Sequence, residues 1–220
     1  MAEESSVIVT EFDIEAFDFP DEVEQVDPTA DAFAPYQLAP AGLYFAKGAY
    51  YVKEQGIRKV TYPAKNNLAV RAIDADWYFL GADDISFPEN WWDDIMACAS
   101  GPTAQVIGTN DGGNSRTTGV GANVHSTHTA VSAEYVKRGS IDSDDLLCAF
   151  FWHWCVDDEF VHTAMQRLTY VHSGVLVPCR HPYWQTAEMD DTYRRGEAHA
   201  AEDMALWKQR AKDLLGLDVT

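Results

Sequence analysis

Basic residues are missing from the first part of this 220-residue chain: neither lysine nor arginine occurs before Lys47. Acids gather there instead, eleven of them in residues 1–31 (Glu3, Glu4, Glu11, Asp13, Glu15, Asp18, Asp21, Glu22, Glu24, Asp27 and Asp31). The whole chain holds 35 acidic against 16 basic residues, a net charge of −19. A surface of that sign repels phosphate backbones, so tight non-specific nucleic-acid binding is not expected. The acidic stretch reads as a solvated arm, with a partner-binding or nucleic-acid-mimicking arm as the alternative. Long apolar runs are also lacking; none approaches the ~20 residues that cross a bilayer, and no membrane span is expected. Residues 1–6 (MAEESS) carry no positive charge ahead of an apolar stretch, unlike a secretory leader. Cysteine is sparse, and Cys98, Cys148, Cys155 and Cys179 form no C-x-x-C pair. Reduced thiols in the cytoplasm are the simplest account.

At 46% apolar and 12% aromatic, the chain has enough material for a sizeable core. Residues 6–12 suggest a strand, and residues 18–42, with four prolines and scattered acids, a loop. Residues 43–55 predict a helix ended by Gly56, residues 58–62 a short strand, and residues 64–73 a helix. Residues 76–80 form an aromatic strand, and Pro88 opens a helix through Trp91, Trp92, Ile95 and Met96. A strand over 105–108 leads into the polar, glycine-rich loop 108–121, which contains Arg116. Ser132 caps a helix over 133–138 that Gly139 stops. Helices over 144–153 and 158–168, a strand over 170–177 and a charged helical tail over 186–215 complete the pattern. Met204, Leu206, Trp207, Leu214 and Leu215 are the expected docking face of that tail. Alternation of strands and helices through 43–110 predicts an α/β domain with a mostly parallel central sheet flanked by helices. The expected organisation is an acidic N-terminal segment (1–42), a catalytic domain (43–185) and a helical tail (186–220).

The strongest chemical signal is Trp77-Tyr78-Phe79-Leu80-Gly81-Ala82-Asp83-Asp84, an aromatic strand that ends in two adjacent carboxylates. Open α/β sheets bind ligands beyond the carboxyl ends of their strands. Paired acids repel unless a cation, a partner or water intervenes, and hard oxygen ligands suit Mg2+ or Mn2+, which hold diphosphates. An exposed Asp-rich turn is the plainer explanation. Upstream, Lys65, Asn66 and Asn67 open a helix, where an asparagine either caps the helix or meets a ligand. Asp157, Asp158 and Glu159 lie among Phe151, Trp152, Trp154 and Phe160. Partial desolvation raises a carboxylate's pKa and suits a general base, whereas helix capping accounts for the same acids structurally. His181, in Cys179-Arg180-His181-Pro182, is either a metal ligand or a surface histidine.

In this order the elements resemble the inverting glycosyltransferases of family 2, which have the GT-A fold and include small bacterial and bacteriophage enzymes. The likeness runs over about residues 60–185, through the Lys/Asn-rich helix start, "GADDISFPENWW", "VDDEF" and the strand leading to "HP". The resemblance implies a GT-A-like nucleotide-binding domain in which Asp83 and Asp84 bind the nucleotide sugar and its Mn2+ or Mg2+. His181 would complete the metal site, and Asn67 and Lys65 would lie near the nucleotide and its phosphates. Asp157 or Asp158 would deprotonate the acceptor hydroxyl. Gly81 stands where the family usually has Asp. The implied reaction moves a sugar from a nucleoside diphosphate to an acceptor (a glycan, a protein or a modified DNA base), in the host cytoplasm if the chain is viral. Two alternatives stay open. One is a metal-dependent hydrolase drawing on His125, His128, His153, Asp157 and His162; the other is a non-catalytic relic that binds a sugar or a partner.

Overall fold

The computed structural model describes residues 6–9, 24–26, 42–46, 49–53, 61–82, 85–101, 103–112, 125–178 and 191–219, the first four segments as backbone alone. Its strands are β1 (Ser6–Val9), β2 (Glu24–Val26), β3 (Gly42–Ala46), β4 (Ala49–Lys53), β5 (Trp77–Gly81), β6 (Val106–Asn110), β7 (Thr129–Ser132) and β8 (Tyr170–Leu176). They form one sheet in the order β2-β3-β4-β1-β5-β7-β6-β8. The helices among the described residues are α1 (Tyr62–Ala72), α2 (Trp91–Met96), α3 (Ala133–Val136), α4 (Val156–Gln166) and α5 (Asp191–Leu215). The chain is an α/β protein with helices against a mixed sheet.

That sheet corrects the expectation of mostly parallel pairing. β1 lies parallel to β4 and β5, and β6 to β8; the other four neighbouring pairs are antiparallel. Two reversed strands cause this: β3 forms a hairpin with β4, and β7 inserts between β5 and β6. The remaining strands all run one way, so their carboxyl ends share an edge at which β7 begins.

Period-two alternation divides the core between the two faces of the sheet. Tyr78 and Leu80 of β5, Val106 of β6 and Val131 of β7 pack with α1, α4 and α5 through Leu68, Phe160, Val161, Trp207 and Ala211. Trp77 and Phe79, Ile107 and Ala130 point to the other face and meet Ile85, Ile95 of α2 and Val177. Strands buried on both faces read as continuous apolar runs, which is why residues 77–81 stand out in the sequence.

Several local expectations are overturned. Where a helix is expected over 43–55, Gly42–Ala46 and Ala49–Lys53 pair antiparallel as β3 and β4; aromatic and β-branched residues favour the sheet, and Lys47-Gly48 between them is a two-residue hairpin signal in the sequence. Residues 144–153 form turns whose backbone is held by distant side chains. The four-residue β7 had no counterpart in the sequence pattern. The strand expected over 58–62 falls largely outside the described residues, and Tyr62 opens α1, which Thr61 caps through Ala64 N. Ser132 does cap α3, accepting from Tyr135 N at 3.2 Å, and Gly139 adopts φ +65 behind it. On α5 the buried positions are Asp203, Trp207, Arg210, Ala211 and Leu215, whereas Met204 and Leu214 are exposed.

Ile107 is fully buried in the smaller cluster. Ile107→Ala is expected to lower unfolding free energy by about 2–5 kcal/mol in chemical denaturation; a loss under 1 kcal/mol would show that this face is not a packed core.

Candidate active site

β5 delivers Gly81 and Ala82 to the carboxyl edge, and the chain runs on into Asp83 and Asp84, which lie outside the described residues. A Cβ on Gly81 would sit 2.8 Å from Ile85 Cδ1 and 3.1 Å from the Phe79 ring, so a side chain there requires the tip of Ile85 to shift. Two residues after Asp84, the Ser86 N–H donates to the Pro178 carbonyl at 2.8 Å. This bond joins the segment just after Asp84 to the segment just before Cys179-Arg180-His181, which is also outside the described residues.

On the same edge, α4 presents its first turn. Cys155 precedes it in the left-handed conformation (φ 62), and Asp157, Asp158 and Glu159 lie at the positive end of the helix dipole. Between β6 and β7 the chain brings in His125, whose ring is nearly buried between two carboxylates. Its Nε2 lies 3.1 Å from Asp157 Oδ2, and its Nδ1 lies 3.6 Å from Asp158 Oδ1. The Asp157 side chain is 27% exposed and that of Asp158 only 7%, so Asp157 is the one an outside hydroxyl reaches. Both approaches of the ring are close polar contacts, the second longer than a hydrogen bond, so the imidazole faces the two acids from between them.

A polar web backs this histidine. The Ser126 hydroxyl donates to Thr109 O at 3.0 Å and accepts from Thr109 N at 2.8 Å, and Thr109 Oγ1 donates to His128 O at 2.8 Å. Asp111 accepts from Thr127 Oγ1 at 3.1 Å. His172 of β8 lies close by; burial holds its imidazole below the ordinary value, hydrogen bonding at Thr109 O opposes this, and like-charge repulsion from His125 adds to it. Gly108 admits the neighbouring Tyr170 ring, for a Cβ there would sit 2.2 Å from the Tyr170 hydroxyl.

Two residues behind α4 carry little local sequence signal. Asp203 of α5 is 1% exposed, and its carboxylate accepts the N–H groups of Trp152 (2.9 Å), His153 (2.9 Å) and Trp154 (2.8 Å). Arg210 grips Glu159 (2.6 and 3.0 Å) and Asp142 (2.9 and 2.8 Å). That grip holds the Asp142 carboxyl below its usual range, against some desolvation. Spacing offers the one available hint: positions 203, 207, 210, 211 and 215 share a helical face, so Asp203 and Arg210 interrupt an apolar stripe.

Asn67 has a structural use. It is fully buried, and its amide donates to Leu147 O and accepts from Leu147 N, both at 2.8 Å. Lys65 sits half-buried in the first turn of α1, and the Tyr62 N–H at that helix start donates to Trp152 O at 3.2 Å. Among the described residues no group of three or more His, Cys, Asp or Glu side chains is arranged to hold a metal ion. The histidines of the hydrolase alternative are dispersed: His153 meets the Tyr62 ring edge-on at 5.8 Å, and His162 stacks on Trp207 at 5.5 Å. No helix among the described residues is long and apolar enough to cross a membrane.

Comparisons with family models, with curated proteins and with solved structures gave no match.

Because the Asn67 amide satisfies two backbone groups at Leu147, Asn67→Ala is expected to cost about 2–4 kcal/mol of stability. Chemical denaturation checks this; a loss under about 1 kcal/mol would show that the Leu147 contacts do not hold the loop.

Proposed function

We propose that the chain is a metal-dependent inverting glycosyltransferase of GT-A type that moves a sugar from a nucleoside-diphosphate donor to an acceptor hydroxyl. One observation carries the reading: Asp157, Asp158 and buried His125 meet at the carboxyl edge of the sheet. Two further features support it. β1 and β5 are parallel neighbours whose connections leave towards opposite sides of the sheet, the kind of crevice in which α/β sheets bind nucleotides. The Ser86–Pro178 bond draws together the segments that carry Asp84 and His181.

Two carboxylates and an imidazole are a donor set that suits Mn2+ or Mg2+. Asp84, with Asp83 and His181, would hold a divalent cation, which would supply positive charge against the departing diphosphate. Lys65, at the helix start on the same edge, adds a second cation near the phosphates. Asp157 takes the proton from the acceptor hydroxyl as that oxygen attacks the anomeric carbon from the face opposite the leaving group, which inverts the configuration. His125 faces the Asp157 carboxylate, with Asp158 on the other side of its ring. The acceptor is a glycan, a protein or a modified DNA base; the excess of acid disfavours grip on a duplex through its phosphates.

A thermal-shift screen of nucleotide sugars with and without Mn2+ identifies the donor. With that donor, Asp84→Ala is expected to abolish Mn2+-dependent transfer without altering the circular dichroism. Asp157→Asn is expected to bind donor normally and lose about 10²- to 10⁴-fold in kcat. Wild-type transfer rates in both variants would refute the proposal.

A further inference from the structure

We infer that α5 braces the turn that carries the proposed base, with Asp203 and Arg210 as positioning residues for Asp157. The inference rests on the reading of Asp157 as the base. The loop entering α4 is tied to α1 by the Tyr62 N–H, which donates to Trp152 O at 3.2 Å, yet Cys155, its last residue, has φ 62, a strained conformation for any residue with a side chain. Something must hold the loop there. Asp203 does so by collecting three successive amides, Trp152 to Trp154, immediately ahead of Cys155. Three N–H groups converging on one carboxylate form an anion nest that fixes the backbone on either side of them. Stacking of Trp152 on His199 of the same helix (3.8 Å, 7° between planes) adds a second attachment.

Arg210 acts one turn later. Its planar fork is bidentate to Glu159 in the first turn of α4 and bidentate to Asp142 in the loop that follows α3. Asp157 therefore stands between two points fixed by α5, one at Trp154 and one at Glu159. Rotation of the helix start about its axis, which would swing Asp157 away from His125 Nε2, is blocked at both. A displacement of about 1 Å in a reacting group can cost on the order of 10²-fold in rate, so such a brace has catalytic consequence without touching substrate.

The test uses the full-length chain with histidine-selective 13C labelling. The His125 ring signal is assigned by its loss in His125→Gln, and it reports the geometry of Asp157, Asp158 and His172, the titratable groups that face it. Asp203→Asn is expected to shift the His125 ring 13C signal at fixed pH well beyond its line width. It is also expected to lower kcat on the order of tenfold while leaving the donor KM within about twofold. Adding Cys155→Gly, which makes the left-handed turn inexpensive, is expected to recover at least half of both effects. That substitution returns no charge, so recovery reports the backbone. Ile107→Ala, a destabilising change on the opposite face of the sheet, is expected to leave His125 unmoved. A folded Asp203→Asn chain in which the His125 ring signal stays at its wild-type position overturns the inference. Should Asp203→Asn fail to fold, Arg210→Lys, which keeps the charge without the fork, is read in the same way. A wild-type chain that transfers no sugar defeats the glycosyltransferase reading alone, because the His125 signal still decides whether α5 sets the turn.

Discussion

Negative charge taken out of water is the constraint around which this molecule is built. Asp158, Glu159 and Asp203 are all buried, and all lie in one corner of a chain that already carries a net charge of −19. Buried carboxylates are tolerated only where hydrogen bonds and opposite charges replace hydration. Each solution here is different. Asp203 takes backbone amides, Glu159 takes the Arg210 fork, and Asp158 faces the ring of His125 near the positive end of a helix. Because these partners come from α5, from the loop ahead of α4 and from the segment ahead of β7, meeting the electrostatic demand fixes their relative positions. The candidate site is a by-product of that arrangement as much as of the sheet.

The sheet contributes the platform. Two reversed strands break the parallel run, yet the other six still end at one edge, so the segments that follow them collect there regardless of mixed pairing. Close packing shapes that edge. A side chain at Gly81 would press on the tip of Ile85, and Gly108 is hollowed out for Tyr170. Small residues at these strand ends mark where neighbouring side chains pass over the backbone.

What could be read in advance divides along the range of the interaction. β5 was visible because five consecutive apolar residues bury on both faces, and α4 because acids at its start and spaced apolar residues behind them act locally. Loop 144–153 was misread as helix because its backbone is held by Asn67 and Asp203, residues 80 and about 50 positions away. The β3–β4 hairpin was lost to a competing helical pattern, although Lys47-Gly48 carried the turn signal. In the site itself, Asp157 and Asp158 stood out by composition. His125 did not, for nothing in its neighbourhood announces that it will lie between acids more than thirty residues further on. Asn67 attracted a ligand role by its position at a helix start, whereas its buried amide serves Leu147.

The late place of α5 in the chain has a bearing on biogenesis. β1 must wait for β5, about 70 residues downstream, before its pairing is complete, and Glu159 must wait a further fifty for Arg210. Such long-range closure slows folding. A nascent polypeptide that has left the ribosome only as far as α4 holds acids whose burial is still uncompensated, so this corner stays open to water and proteases until the final helix arrives.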